Sequence, residues 1–134
     1  MTVSAASCAA DDGSTEASSA WDSRMQTVLY DSDGQGALSG DLPGGGDLMS
    51  VKRGSYVLAA ACIGADIVHV AARAGGQLIG ASDVPCGATV RIPISYESSR
   101  GLEIRVTRHD PKSTGSWYVS VNRASWVQTT SYAF

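Results

Sequence analysis

The sequence predicts an all-β protein, an antiparallel β-sandwich of the jelly-roll or immunoglobulin-like type with about seven to eight strands. From residue 48 onward, apolar and polar residues alternate with period two over half a dozen segments separated by turn residues. Glycine is abundant, at 15 of 134 residues, and phenylalanine occurs once, which favours a loop-rich β domain over a helical bundle. No stretch approaches the roughly 18 apolar residues of a membrane-spanning helix.

The strands are clearest in the second half of the chain. "RGSYVLAAACIG" is apolar on both faces, as in the central strand of a sandwich. "ADIVHVAARAGG" ends in a hairpin turn at Gly75-Gly76 and leads into the strand "QLIGASDVPCG". In "TVRIPISYE" the outward-facing Pro93 cannot donate a ladder hydrogen bond, so that strand is expected at a sheet edge or at a bulge.

Alternation in "TVRIPISYE", "GLEIRVTRHD" and "GSWYVSVNR" assigns side chains to two faces, one in the core and one in water. The expected inward set is Val90, Ile92, Ile94, Tyr96, Leu102, Ile104, Val106, Trp117, Val119 and Val121. The expected outward set is Arg91, Pro93, Ser95, Glu103, Arg105, Thr107, Tyr118, Ser120 and Asn122.

The N-terminal region is divided into a disordered tether, residues 1–20, and the start of a single domain, residues 21–134. Trp21, Met25, Val28 and Leu29 fit a helical stripe, but "MQTVLY" also has the composition of a strand, and we predict a strand near residues 25–31. "DSDGQG" and "LPGGGD" predict turn-rich loops, and "GALSGDL" between them a short strand.

Charge is distributed unevenly along the chain. Residues 1–49 contain eight acidic residues and one base, Arg24, whereas residues 50–134 contain nine bases and five acids. The bases form no cluster and are not interleaved with aromatic residues, so the sequence does not indicate a nucleic-acid partner.

Cys62 and Cys86 lie within the patterned region. A disulfide between them would close a loop of about 25 residues and stabilise the fold by roughly 3 kcal/mol. The alternative is a pair of buried free thiols, because cysteine packs well as a small apolar side chain. We predict the disulfide, because the rest of the chain has the features of an exported protein.

Cys8 is then left without a partner. It lies in "SAASCAADDGSTEASSA", between small residues and a polar, acidic stretch that has too little apolar surface to fold. It could be a free thiol, pair with another chain, or be the acylated first residue of a mature bacterial lipoprotein. We predict lipidation at Cys8, although the lipobox leucine is replaced by Ala5 and no signal region precedes it.

"GSYVLAAACIG", the hairpin, "VPCG", "GLEIRV" and "WYVSVN" together resemble the small exported β-sandwich domains of actinobacterial cell-envelope lipoproteins. The resemblance covers residues 48–123 and concerns framework positions. It implies export and attachment to or release from the cell surface. Because most such domains have no assigned function, it implies no catalytic residues.

"DSDGQGALSGDL" has the start of a calcium-binding loop, with Asp31, Asp33, Gln35 and Gly36 at the first positions. The twelfth position is Leu42 instead of glutamate, so an Asp/Gly-rich turn is the preferred interpretation, with a looser calcium site at Asp41 or Asp47 as an alternative.

The two histidines, His69 and His109, are too few for a zinc site once the cysteines are paired. A serine hydrolase using His109 would need a nucleophile on a strained turn such as G-x-S-x-G, which the sequence lacks. We therefore expect no enzymatic activity, no metal and no cofactor.

Aromatic residues offer a second hypothesis. Trp126, Tyr118 and Tyr132 could stack on sugar rings, while the alternative is that Trp126 and Phe134 close one end of the sandwich and Trp21 covers a sheet edge. The sequence thus predicts a non-catalytic, surface-anchored binding or scaffolding domain whose partner is an envelope or extracellular protein or glycan. Its alternative function is that of a carbohydrate-binding module for a wall or extracellular polysaccharide.

Overall fold

A computed structural model describes residues 20–98 and 100–129, and within them the fold is a two-layer antiparallel β-sandwich with one helix, α1, at residues 20–29. The eight strands are β1 (Gly36–Asp41), β2 (Gly44–Leu48), β3 (Gly54–Ile63), β4 (Ile67–Ala74), β5 (Gln77–Pro85), β6 (Val90–Tyr96), β7 (Leu102–Arg108) and β8 (Ser116–Arg123). The first sheet has the order β1-β8-β3-β6 and the second the order β2-β7-β4-β5. The predicted fold class and strand number are confirmed.

The main core lies between the two sheets. It contains the inward residues expected from alternation, all of them buried except Val90, which is half-buried. β3 adds Leu58, Ala60 and Cys62 to this core. Strands with one apolar face bury that face against the opposite sheet, so period-two alternation is sufficient to specify this layer.

The segment "LPGGGD", predicted as a loop, forms most of strand β2, so this prediction is wrong. The chain turns at Leu42–Pro43 and passes from the first sheet to the second beside Trp117, whose indole Nε1 donates a hydrogen bond to the Asp41 carbonyl at 3.1 Å. A Cβ atom on Gly44 would lie 2.7 Å from that Nε1. Glycine is required here by a close approach, which its turn-forming tendency alone does not reveal.

The predicted strand near residues 25–31 is also wrong, because α1 occupies residues 20–29. Trp21, Met25 and Leu29 are buried against Ala59 and Ala61 on the outer face of the first sheet. These three residues are spaced as one helical face. A helix this short is stabilised mainly by such docking, and the alanines of β3 leave room for its large side chains.

Tyr118, Ser120 and Asn122 point outward as predicted, but they are buried beneath α1 instead of being in water. Asn122 donates from Nδ2 to the Leu29 carbonyl at 2.7 Å and accepts a hydrogen bond from the Ser120 hydroxyl. The bond to Leu29 joins the C-terminal end of the helix to β8, and the bond from Ser120, within β8, orients the Asn122 amide. The expectation of one wet face per sheet therefore holds for the second sheet only.

Pro93 lies outward on β6, which is an edge strand, as predicted. Beside it, edge strand β5 of the other sheet approaches closely at Gly80, where a Cβ atom would lie 2.7 Å from Ile94 Cγ2. The sandwich is therefore closed along this side by contact between the two edges.

The predicted disulfide between Cys62 and Cys86 is confirmed, with a Cα–Cα distance of 4.7 Å. Cys62 belongs to β3 in the first sheet and Cys86 directly follows β5 in the second. The bond thus joins the two layers. None of the helices within the described residues is long and apolar enough to cross a membrane.

Replacing both bridge cysteines by alanine should lower the free energy of unfolding by about 3 kcal/mol, because the unfolded chain loses the constraint on its loop. Urea denaturation of Cys62→Ala/Cys86→Ala measures this. Cys8→Ser serves as the matched control and should leave the midpoint unchanged. An unshifted midpoint in the double variant would show that the bridge contributes nothing to stability.

The interface beneath α1 should respond unequally to two substitutions. Among the described residues the Tyr118 hydroxyl has no hydrogen-bond partner, so Tyr118→Phe should keep or raise stability by up to about 1 kcal/mol. Asn122→Ala should cost about 2 kcal/mol, since it leaves the Leu29 carbonyl unpaired. Thermal unfolding of the two variants checks the contrast, and equal losses would contradict it.

Candidate functional site on the open face

The outer face of the second sheet is exposed or half-buried and no other described element covers it, and we call it the open face. It is formed by Gly45, Asp47, His69, Ala71, Arg73, Leu78, Ala81, Asp83, Glu103, Arg105 and Thr107. All of these residues are exposed or half-buried, whereas α1 covers the central strands of the equivalent face of the first sheet and leaves Arg91, Pro93 and Ser95 of β6 exposed.

Small residues cross the open face in a single row. In the strand register Gly45 lies beside Arg105, Arg105 beside Ala71, and Ala71 beside Ala81. Four strands at the usual spacing make this row about 14 Å long. Because three of its four members are small, the row forms a shallow trough between two rows of larger side chains, which are polar except for Leu78.

On one side of the trough, the fold brings together both histidines of the chain. His69 Nδ1 lies 3.0 Å from Asp83 Oδ1, and His109 Nε2 lies 3.5 Å from the same oxygen. His69 and Asp83 are directly opposite on β4 and β5, while His109 follows the end of β7. The sequence indicated neither this meeting of the histidines nor a role for Asp83, since the three residues are distant along the chain.

The electrostatics of this cluster favour an ionised carboxylate. The hydrogen bond from His69 is the main cause that lowers the pKa of Asp83, and the charge of His109 adds to it. The cluster therefore presents an ionised carboxylate and two imidazole rings on an accessible surface.

On the other side of the trough, Glu103 and Arg105 form an ion pair at 2.5 Å. A groove of about 330 Å³ runs between this pair and the three glycines of β2, and ends at Asp47. The groove was not predicted, since "LPGGGD" indicated a loop. The run of three glycines is the feature of the sequence that points to this groove, because a glycine in a strand leaves the backbone uncovered on the sheet surface.

The calcium candidates Asp31 and Asp33 are engaged by an arginine. The buried Asp31 carboxylate accepts hydrogen bonds from Arg123 Nε at 2.8 Å and from the Arg123 amide at 3.0 Å. Burial opposes ionisation of Asp31, but these hydrogen bonds outweigh it and hold its pKa below the ordinary value. Asp33 lies 3.5 Å from the same guanidinium. The structure therefore supports the interpretation of an Asp-rich turn.

The alternative calcium ligands Asp41 and Asp47 lie on the outer faces of different sheets. Within residues 20–98 and 100–129, no three or more His, Cys, Asp or Glu side chains are arranged to hold a metal ion.

Of the three aromatic candidates, Tyr118 and Trp126 lie within the described residues, and neither is fully exposed. Tyr118 is 2% exposed, and burial raises its pKa to about 12. Trp126 is half-buried against the residues under α1, with the Arg91 guanidinium 5.9 Å from its ring centre. Tyr132, Phe134 and the lipidation candidate Cys8 lie outside the described residues.

Comparison of the chain with known protein families, with curated proteins and with solved structures returns no match.

The Asp31–Arg123 pair should make stability depend on acid pH. Because the folded-state pKa lies below that of an unfolded aspartate, the ionised carboxylate stabilises the fold at neutral pH, and this contribution is lost as the pH falls below about 4. Asp31→Asn should cost about 2 kcal/mol at pH 7 and progressively less towards pH 3.

Urea denaturation across this pH range measures the effect. The control is Asp33→Asn, which removes an exposed ion pair and should change stability by less than about 0.5 kcal/mol. A constant difference between Asp31→Asn and the unaltered protein at all pH values would contradict the assignment.

Proposed function

We propose that this chain is an exported, non-catalytic domain, attached to the cell envelope through Cys8, which binds a surface partner through its open face. The observation that carries the binding role is the convergence of His69, Asp83 and His109 on an uncovered sheet. The partner is an envelope protein or glycan.

The disulfide supports the compartment. Cys62–Cys86 joins the layers of a small domain, and disulfides persist mainly in oxidising environments outside the cytoplasm. The small, polar and acidic residues around Cys8 suit a tether, and the resemblance of residues 48–123 to envelope lipoprotein domains agrees with that role.

The position of α1 supports the choice of face. The segment that contains Cys8 enters the domain through α1, which lies on the first sheet. The open face belongs to the second sheet, on the opposite side of the sandwich. An anchor at Cys8 would therefore leave this face accessible to a partner.

Attachment is tested by expressing the full gene in the native host and determining the intact mass and the unreduced peptide map. We expect a chain that starts at Cys8, carries added acyl mass and is found in the membrane fraction. The added mass should correspond to more than one acyl chain, because a single chain anchors a protein only marginally. Cys8→Ser should move the protein to the soluble fraction. An unacylated chain with three free thiols would contradict the proposal.

Binding is tested with soluble Cys8→Ser protein and isolated envelopes of the host. Adding His69→Ala/His109→Ala should weaken binding about tenfold, whereas the control Lys52→Ala should not change it. Equal binding by both variants would contradict the role of the open face. Quenching of tryptophan fluorescence by purified wall polysaccharide, unaffected by the histidine substitutions, would instead support the carbohydrate-binding alternative through Trp126.

A further inference from the structure

Strand β2 has a free edge. It is the outermost strand of the second sheet, and its ladder within the described residues runs to β7 alone. On both sides of the sandwich the facing edge strands touch, β5 and β6 at Gly80 and β1 and β2 at Gly46, where a Cβ atom would lie 3.3 Å from Leu38 Cδ2, but only the β5–β6 side carries an outward proline, Pro93. β2 contains neither a proline nor a bulky outward side chain. Such an edge offers unpaired backbone groups to another strand.

Charge on this edge is unbalanced. Asp47 lies directly opposite Glu103, and like charges in this position repel each other. Glu103 is compensated by Arg105, but Asp47 has no ion-pair partner among the described residues. Gly45, next to Arg105 in the register, has no side chain between that arginine and the free edge. The Arg105 guanidinium can therefore reach beyond β2.

We infer that β2 pairs antiparallel with β2 of a second copy of this chain, about a two-fold axis at Gly46. This register overlaps all five residues of the strand and places Asp47 of one copy opposite Gly45 of the other. A shift of the register by two residues in one direction would set Asp47 against Asp47 of the second copy. A shift by two residues in the other direction would set Asp47 against Pro43, which has no N–H group.

In this register the second copy completes the groove. Asp47 of that copy lies two strand spacings, about 10 Å, from the backbone of Arg105, with only Gly45 between them. A long arginine side chain spans this gap, and its five N–H donors can serve Glu103 and the incoming carboxylate together. The two-fold axis repeats the contact, so each dimer gains two ion pairs and a continuous eight-stranded sheet.

The association is expected to be weak and reversible. A five-residue strand pair buries less surface than the roughly 1,200 Å² or more of stable protein interfaces. The two ion pairs decide the register, since opposite and like charges across strands differ in energy. The inference does not depend on the proposed function, because it uses no residue of the histidine cluster and no anchor.

Sedimentation velocity of the full chain tests it, in a Cys8→Ser background that prevents a disulfide between copies. We expect a concentration-dependent dimer without larger species. Asp47→Arg and Arg105→Glu, each alone, should raise the dissociation constant about tenfold or more, because two attractive contacts become repulsive. An equimolar mixture of the two variants should dimerise again, since every contact then joins opposite charges.

Arg73→Glu is the matched control, since it makes the same charge change on the same face but on interior strand β4. It should leave the dissociation constant unchanged. Thermal unfolding of each variant confirms that the exposed substitutions preserve the fold. A protein that stays monomeric at all concentrations, variants that dimerise normally, or a mixture that fails to associate would overturn the inference.

Discussion

Strand β3 is buried on both of its faces, and most of the molecule follows from the need to cover both. Its inward residues pack against the second sheet, and its partner strands β8 and β6 extend the layer on either side. Its outward residues, Ala59 and Ala61, need a second cover, which α1 provides. Cys62, at the end of the same strand, fixes the second sheet by a covalent bond. The sandwich, the helix and the disulfide therefore converge on one strand.

The strands that alternate strictly were predictable, because a strand with one buried face has an apolar side chain at every second residue. The errors lie where tertiary contacts outweigh local pattern. Met25 and Leu29 fit a strand within "MQTVLY" and a helix over a longer window, and only the alanine surface of β3 favours the helix. Gly44 has the sequence signature of a turn, yet its role is to let the backbone pass Trp117. The local sequence around Met25 or around Gly44 does not predict the β3 alanines or the Trp117 side chain that each segment contacts.

The candidate site was harder to predict than the fold for a related reason. His69 and His109 are forty positions apart along the chain, and their meeting at Asp83 depends on the exact register of three strands. A shift of one residue would turn Asp83 to the other face. Asp31 illustrates the converse. Its spacing to Asp33 suggested a metal loop, but Arg123, distant in sequence, already supplies the positive charge.

The two outer faces use small residues in different ways. On the first sheet Ala37, Ala59 and Ala61 lie among apolar neighbours, and the depression that they form accommodates the large side chains of a helix. On the second sheet Gly45, Ala71 and Ala81 also form a depression, but apart from Leu78 its borders are polar or charged side chains. An apolar helix face would leave those borders desolvated and without hydrogen bonds, which is costly. The second depression therefore fits a partner that brings its own polar groups, and this chemical difference separates a face built for folding from one suited to binding.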